Sequence, residues 1–415
     1  MTKASTPVHD QDIVVCQPLR TGVGAGGGPL RGVDTQTQGA TRVTRVKDRS
    51  AKAPDAIDDV VFGQAYASSE APNLGRIIAL DAGLPITVPG MQLERRCGSG
   101  LQSIITAAGA IATGGADLII AGGAESMSSA PIYDVTSRWG FKAGDLTLHD
   151  SLARGRQTAG GQFYPVAGGM IETAENLRED YNIGREEQDA FAVESHRRAA
   201  AATQEGKFAD EIVPVTIPAT RKTPEAQITR DEHIRADSTL EKLAKLKPMR
   251  AGVDPAATVT AGNASGQNDG AAATIVTTRA HAQKLGLVPV LKLVSWAVAG
   301  VEPRIMGIGP VPASDKALTR AGLSLADMDL IELNEAFAAQ ALAVTRAWDL
   351  GKDDFARLNV NGSGISLGHP VGATGARILA TLAHEMRRRE SRFGLETMCI
   401  GGGQGLAAVW ERVAL

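Results

Sequence analysis

Three residues stand where their types and neighbours suit nucleophilic chemistry. Cys97 lies in Arg95-Arg-Cys-Gly-Ser-Gly100, at the junction of an extended run and a helical one. A thiol at a helix start is expected to ionise more readily, because free amides and the macrodipole favour the thiolate, and Gly98 and Gly100 leave room for a carbonyl. His369, in Gly368-His-Pro-Val-Gly-Ala-Thr-Gly375, is held by a proline and approached through glycines, a setting that suits a general base. Cys399 precedes Gly401-Gly-Gly403 at the end of an apolar run, where an exposed reactive thiol and a core cysteine are equally good readings. Cys16 lies inside an apolar strand without glycines and reads as core. The other six histidines lie in polar or helical segments, His196 and His384 among them, and read as surface residues. No His/Cys spacing suits a metal site.

These residues need a scaffold of strand-to-helix turns. Residues 12–16 and 60–62 read as buried strands, with a helix over 34–53 between them that is poorly patterned: Ala40, Val43, Val46 and Ala51 are its apolar positions. Leu101, Ile104, Ile105, Ala108, Ile111 and Ala112 follow helical spacing, closed by Gly114-Gly115. Asp117–Ala121 then reads as a strand stopped by Gly122-Gly123. Strand, helix and strand make a βαβ unit and indicate a layered α/β fold. Residues 128–250 are polar, with helices over 170–181 and 185–205 and short strands at 211–217, and read as an insertion over one end of the body. Alternation then returns, with strands at 288–299, 329–333 and 396–400 and helices at 314–321, 335–349 and 374–389. Cys97-Gly-Ser-Gly-Leu and Asn361-Gly-Ser-Gly-Ile, each leading through a helix to a strand that ends in glycines, suggest two duplicated halves.

With 415 residues the chain is long enough for more than one core, and 43% hydrophobic residues exclude wholesale disorder. A net charge of −3, with Arg387-Arg-Arg389 at a helix end the main basic run, argues against nucleic acid as partner. The odd count of 3 cysteines fits a reducing compartment, and no apolar run is long enough to span a membrane, so a cytoplasmic protein is expected. Gly22-Val-Gly-Ala-Gly-Gly27 matches a dinucleotide-binding fingerprint and raises an oxidoreductase as the rival reading. The glycines do not open a helix directly after the strand, so they read as a surface turn.

Taken together, Arg96-Cys-Gly-Ser-Gly-Leu101, Ala121-Gly-Gly-Ala-Glu-Ser-Met-Ser128, Val259-Thr-Ala-Gly-Asn-Ala-Ser-Gly266, Asn334-Glu-Ala-Phe-Ala338, the run Asn361 to Ala373 and Cys399-Ile-Gly-Gly-Gly-Gln-Gly405 resemble the signatures of the thiolase family, in its order and spacing, over nearly all of residues 12–415. The resemblance implies the five-layered thiolase fold, with two duplicated βαβαβαββ halves: 11–127 plus 251–279, and 280–415, with 128–250 as an inserted loop domain. It implies an acetyl-CoA C-acyltransferase of the acetyl-CoA acetyltransferase type, forming a homodimer or homotetramer. Acyl-CoA and CoA would be substrates, and no metal or other cofactor is required. Cys97 would carry the acyl group, His369 take its proton, and Cys399 move a proton to or from acetyl-CoA. Asn334 would hold a water at the enolate, and the amides of Cys97 and Gly401 would cradle the oxyanion. Arg235 and Ser265 would contact CoA, and Met170, Ala261, Met306 and Phe337 would line the pantetheine and acyl tunnel. A catalytically inert relative would be expected to lose Cys97, His369 or Cys399, and none is lost.

Three departures from the family pattern stand out: the glycine run Gly22 to Gly28, the weak helix 34–53, and Gly169 where short-chain enzymes carry a histidine. Gly169 donates nothing and is expected to leave space, which predicts that specificity rises from acetoacetyl-CoA to medium-chain 3-ketoacyl-CoA.

Overall fold

A computed structural model describes residues 9–48, 54–221 and 223–413. The polar start at 1–8, the end of the expected helix at 49–53 and the last two residues lie outside these. Nine strands form one continuous sheet: β1 (Ile13–Arg20), β2 (Asp59–Gly63), β3 (Met91–Leu93), β4 (Leu118–Ser126), β5 (Asn268–Thr278), β6 (Pro289–Gly300), β7 (Leu330–Leu333), β8 (Phe393–Ile400) and β9 (Gln404–Arg412). Their order is β7-β8-β9-β6-β1-β5-β4-β2-β3, and the two-residue strand Gly24–Ala25 adds to β5.

The order is a duplication. From β1, the pairs β1·β5 and β5·β4 are antiparallel and β4·β2 is parallel. From β6, the pairs β6·β9 and β9·β8 are antiparallel and β8·β7 is parallel. Antiparallel pairing of β1 with β6 joins the halves.

Helices fill the layers between and outside the halves. Val14 and Cys16 turn to one face of β1 and pack with Ala40 and Val43 of α1 (Thr35–Asp48) and Leu74 and Ile78 of α2 (Leu74–Asp81). Val15, Ile119 and Ala121 turn inward, onto Leu101, Ile104 and Ile105 of α3 (Ser99–Ala112). The same cluster holds Ile378, Leu379 and Leu382 of α8 (Thr374–Arg388) and Met398, Ile400 and Trp410 of the second half. Leu395, Ala407 and Val409 face outward again, onto α6 (Pro310–Ala321) and α7 (Ala338–Ala347). Two-residue alternation along each strand therefore builds five layers with α3 and α8 in the middle. The remaining long helices, α4 (Gly169–Asp180) and α5 (Arg185–Gln204), belong to the inserted segment, which also carries two small two-stranded sheets. No helix among the described residues is long and apolar enough to cross a membrane.

Several elements differ from expectation. Strand β4 runs through Gly122 and Gly123 rather than stopping there: a Cβ on Gly122 would lie 2.0 Å from the Ala272 carbonyl oxygen, and one on Gly123 2.0 Å from that of Gly372. Gly122 thus permits close backbone approach within the sheet, and Gly123 the approach of the Gly372 loop to it. Strand β9 was not anticipated; Gly402 and Gly403, both at positive φ, turn the chain straight from β8 into it. Helix α1 is weakly patterned because its buried face includes Gln38, whose amide donates to the Val33 carbonyl, and Arg42, which donates to that of Arg20. The run Gly22 to Gly27 opens no helix, as expected, but its first half is buried, with Gly22 pressed against the Arg230 backbone.

The glycine contacts predict opposite effects on stability. Gly123→Ala is expected to cost about 3 kcal/mol by overpacking against the Gly372 loop. Gly109→Ala in α3, where an added Cβ meets nothing within 4 Å, is expected to add up to about 1 kcal/mol. Urea unfolding of both variants checks this, and equal effects would contradict the close approach.

Candidate active site

Cys97 sits in a 3-10 turn, Arg96–Gly98, that hands the chain to α3. Arg96 holds φ at 46°, in the left-handed region, at a cost of the order of 1 kcal/mol. Its side chain holds it there: the guanidinium donates to the Gly155 carbonyl at 2.8 Å, pairs with Glu94 at 3.4 Å and lies 5.2 Å over the Tyr66 ring. Partly buried Cys97 packs against a wall of Tyr66, Met127, Leu152 and Val371. The expected lowering of its pKa does not hold. Burial pushes the thiol above its ordinary value, against the opposing Gly401 amide, the Arg96 charge, its own amide and Arg156. One helix start does not outweigh desolvation.

His369 is fixed from three sides. Its backbone amide donates to Asn268 Oδ1 at 2.9 Å, and Asn268 in turn donates to the Gly24 carbonyl. Nδ1 lies 2.6 Å from Thr374 Oγ1, whose own proton goes to the Pro370 carbonyl at 2.9 Å. The hydroxyl is thus the acceptor from the ring, which assigns the proton to Nδ1 and leaves Nε2 with its lone pair. Nε2 faces Asn334 Nδ2 at 3.5 Å. Burial first, then the charges of Arg377 and Arg156, push the imidazole pKa down to about 3, so the ring is neutral near pH 7.

Cys399 is the penultimate residue of β8 and is fully buried, so of the two readings left open the core position is the one observed. Burial, then nearby Cys97, hold its thiol well above the ordinary range. Gly401, two residues on, sends its amide to Cys97. Cys399 shares one apolar cluster with Met170, Met306 and Phe337, so these expected tunnel residues do come together. Ala261 is exposed and outside that cluster. Ser265 is on the same loop, its amide donating to the Ala336 carbonyl. Arg235 is exposed, and its backbone amide donates to His196 Nδ1 at 3.1 Å. His196 itself is buried, not on the surface: desolvation, then His233 and Arg235, lower its pKa to about 4. The space expected beside Gly169 is also not open. Gly169 has φ 61°, and its missing Cβ would face Arg156 Cβ at 3.3 Å.

The arrangement offers two thiols near one another, an amide aimed at the first, and a neutral imidazole on the same loop as Val371, part of the Cys97 wall, with Asn334 brought to its Nε2 from the end of β7. It can make and break a thioester and move a proton beside it. Sequence reading missed Thr374, Asn268 and Glu125. Thr374 stood inside the His369 motif and offered a signal; Asn268 offered none. The Glu125 carboxylate accepts amides from Ala65, Tyr66 and Gly372, tying β2 to the His369 loop.

The charge states predict how Cys97 reacts. With the thiol raised and His369 neutral, no thiolate–imidazolium pair exists near pH 7. Iodoacetamide alkylation of Cys97, followed by mass spectrometry, should accelerate continuously from pH 6 to about 9, following the thiolate fraction. A rate already level below pH 7 would reveal an ion pair instead.

Comparison with known proteins agrees with this geometry. Residues 13–280 match the family described as thiolase, N-terminal domain, and residues 287–412 its C-terminal domain. A beta-ketothiolase of Cupriavidus necator is 46% identical over 404 residues, 97% of this chain and 100% of that protein. The crystal structure of the Bacillus anthracis acetyl-CoA acetyltransferase superimposes with TM-score 0.91 at 42% identity, covering 97% of this chain and 99% of that one. The human mitochondrial 3-ketoacyl-CoA thiolase gives TM-score 0.91 at 40% identity, with the same coverage. Both halves of the duplicated sheet are matched in full and in order, and the chain belongs to the thiolase family.

Proposed function

We propose that this protein is an acetyl-CoA C-acyltransferase working through an acyl-thioester on Cys97. In the degradative direction Cys97 sulfur, its proton taken by Nε2 of His369, attacks the 3-keto carbon of a 3-ketoacyl-CoA. The C2–C3 bond breaks, its electron pair leaves with the acetyl-CoA enolate, and Cys399 protonates that carbon. CoA thiol then attacks the thioester, releasing the shortened acyl-CoA and restoring Cys97. Condensation is the reverse, with Cys399 removing a methyl proton from acetyl-CoA. The amides of Cys97 and Gly401 serve the tetrahedral oxyanion, while His369 and Asn334, through a bound water, serve the enolate oxygen. Bond making and proton transfer balance without a metal or redox cofactor.

The observation that carries this reading is the placement of two thiols in electrostatic reach, with the Gly401 amide on the Cys97 sulfur. Two cysteines with different surroundings suit two tasks: the partly exposed one meets substrate, and the buried one keeps its proton until an enolate needs it. Met170, Met306 and Phe337 form the apolar sleeve for pantetheine, with Ser265 and Ala261 along its rim and Arg235 toward the nucleotide. The three free cysteines favour the cytoplasm, with a role in fatty acid metabolism. A homodimer or homotetramer would cover the sheet's edge strand β3 and the exposed side chains of Trp139, Phe141 and Phe163.

Two experiments separate the thiols. Brief incubation with acetyl-CoA and peptide mass mapping should place the acetyl group on Cys97, and label confined to Cys399 or Cys16 would refute the assignment. Cys399→Ser should still acylate yet lose condensation by ~10²–10⁴-fold, because only proton transfer is removed. Condensation at near the unmodified rate would exclude the acid/base role.

A further inference from the structure

The wall beside Cys97 carries a cation that the reaction above does not use. Arg156 lies at the end of the short helix Ser151–Gln157, in the segment leading to Gly169 and Met170. Its stem fills the side of Gly169, whose positive φ turns the chain away from it. Its guanidinium reaches the Tyr66 hydroxyl, in the same apolar wall that Cys97 joins. It is also close enough to act on both the Cys97 thiol and the His369 ring.

No carboxylate pairs with Arg156 among the described residues. Its neighbour Arg96 differs, being engaged by Gly155, Glu94 and the Tyr66 ring. A partly buried guanidinium without a counter-ion is a ready fork for a carboxylate. The phosphates of CoA do not supply it, since the whole pantetheine arm separates them from the thioester at Cys97. The sleeve for that arm is the Cys399–Met306–Phe337 cluster, whereas Cys97 itself packs against the separate Tyr66–Leu152–Val371 wall, so a transferred acyl group is left with the wall that ends at Arg156.

We infer that Arg156 is a specificity-determining residue that pairs with a carboxylate at the far end of the acyl chain, so that the preferred substrates are 3-oxodioyl-CoA thioesters rather than methyl-ended 3-ketoacyl-CoA. This rests on the acyl-transfer reading and deepens it. The steps are unchanged: the C2–C3 bond breaks, acetyl-CoA leaves protonated at C2, and the carboxylate-ended acyl group passes from Cys97 sulfur to CoA. The methylenes lie along Tyr66, Leu152 and Val371, and the carboxylate meets the Arg156 guanidinium where it reaches Tyr66. The medium-chain preference expected from Gly169 is thereby revised: the space beside it holds the stem of Arg156, not a void.

The test is kcat/KM in thiolysis for six- and eight-carbon 3-oxodioyl-CoA against 3-oxohexanoyl- and 3-oxooctanoyl-CoA. The unmodified enzyme should favour the carboxylate-ended substrate at one of these lengths by about ten- to a hundredfold, the usual range for a charged hydrogen-bonded pair. Arg156→Gln should lose that ratio, chiefly through KM of the dioyl substrate, and Arg156→Lys should regain part of it. Equal losses on both substrate classes in Arg156→Gln would mean that Arg156 serves the thiol or the fold, and would overturn the inference. A preference for methyl-ended substrates in the unmodified enzyme would overturn it too, whatever the variants do, and would leave the acyl-transfer reading standing. Activity toward neither class would sink both.

Discussion

The site depends on a carboxylate buried where the two halves meet. Glu125, near the end of β4, accepts the amides of Ala65 at 2.9 Å, Tyr66 at 3.2 Å and Gly372 at 2.8 Å. The first two belong to the chain leaving β2 and the third to the loop that carries His369. Burial raises the pKa of Glu125 to about 7, with the three amides opposing. The group would be expensive to bury alone, and the amides would be orphaned without it. Glycine makes the junction possible: a Cβ on Gly372 would lie 2.8 Å from the Glu125 carboxylate and 2.7 Å from Gln64 Cα. One first-half side chain therefore sets where a second-half histidine stands. The same junction sets Tyr66, and through it the wall beside Cys97.

A second buried carboxylate does similar work on the other side of His369. Glu335 accepts the Ser195 hydroxyl at 2.6 Å, Asn359 at 2.9 Å and the Ile365 amide. It thereby ties the end of β7, next to Asn334, to α5 of the inserted segment and to the short helix Gly364–Leu367. Because the frame is held by fully buried hydrogen bonds, the reacting groups do not need charge to hold them in place. Cys97, Cys399 and His369 are all kept neutral by desolvation. Each is ready to exchange a proton as substrate arrives, with no prior ion pair to break.

Much of this was legible in the sequence, for identifiable reasons. Cys97, His369 and Cys399 stand out because glycines cluster wherever backbone must approach backbone or substrate, and the helical spacing of α3 is clean because one face meets only aliphatic neighbours. Helix α1 was obscure because Gln38 and Arg42 occupy its buried face, where hydrogen bonds replace hydrophobic contact. Gly122 and Gly123 misled because a glycine within a strand and one ending it look alike until the neighbouring backbone is placed. The direction of the Cys97 pKa was misread because a local rule about helix starts ignores burial, a property of the whole fold. The roles of Glu125, Asn268 and Arg156 were silent: each acts on a partner about 100 to 250 residues away in sequence, and no periodicity connects the two. Arg156 sits in a segment with no repeating pattern at all.

The central claim is that the acyl group leaves one CoA for sulfur before a second CoA enters. Initial-rate thiolysis with 3-ketoacyl-CoA and CoA both varied tests it most directly. The account predicts parallel lines in double-reciprocal plots, the signature of an enzyme that carries the acyl group between two half-reactions. Lines that intersect to the left of the ordinate would show that both substrates bind before chemistry begins, and would contradict a thioester on Cys97 as the obligatory intermediate.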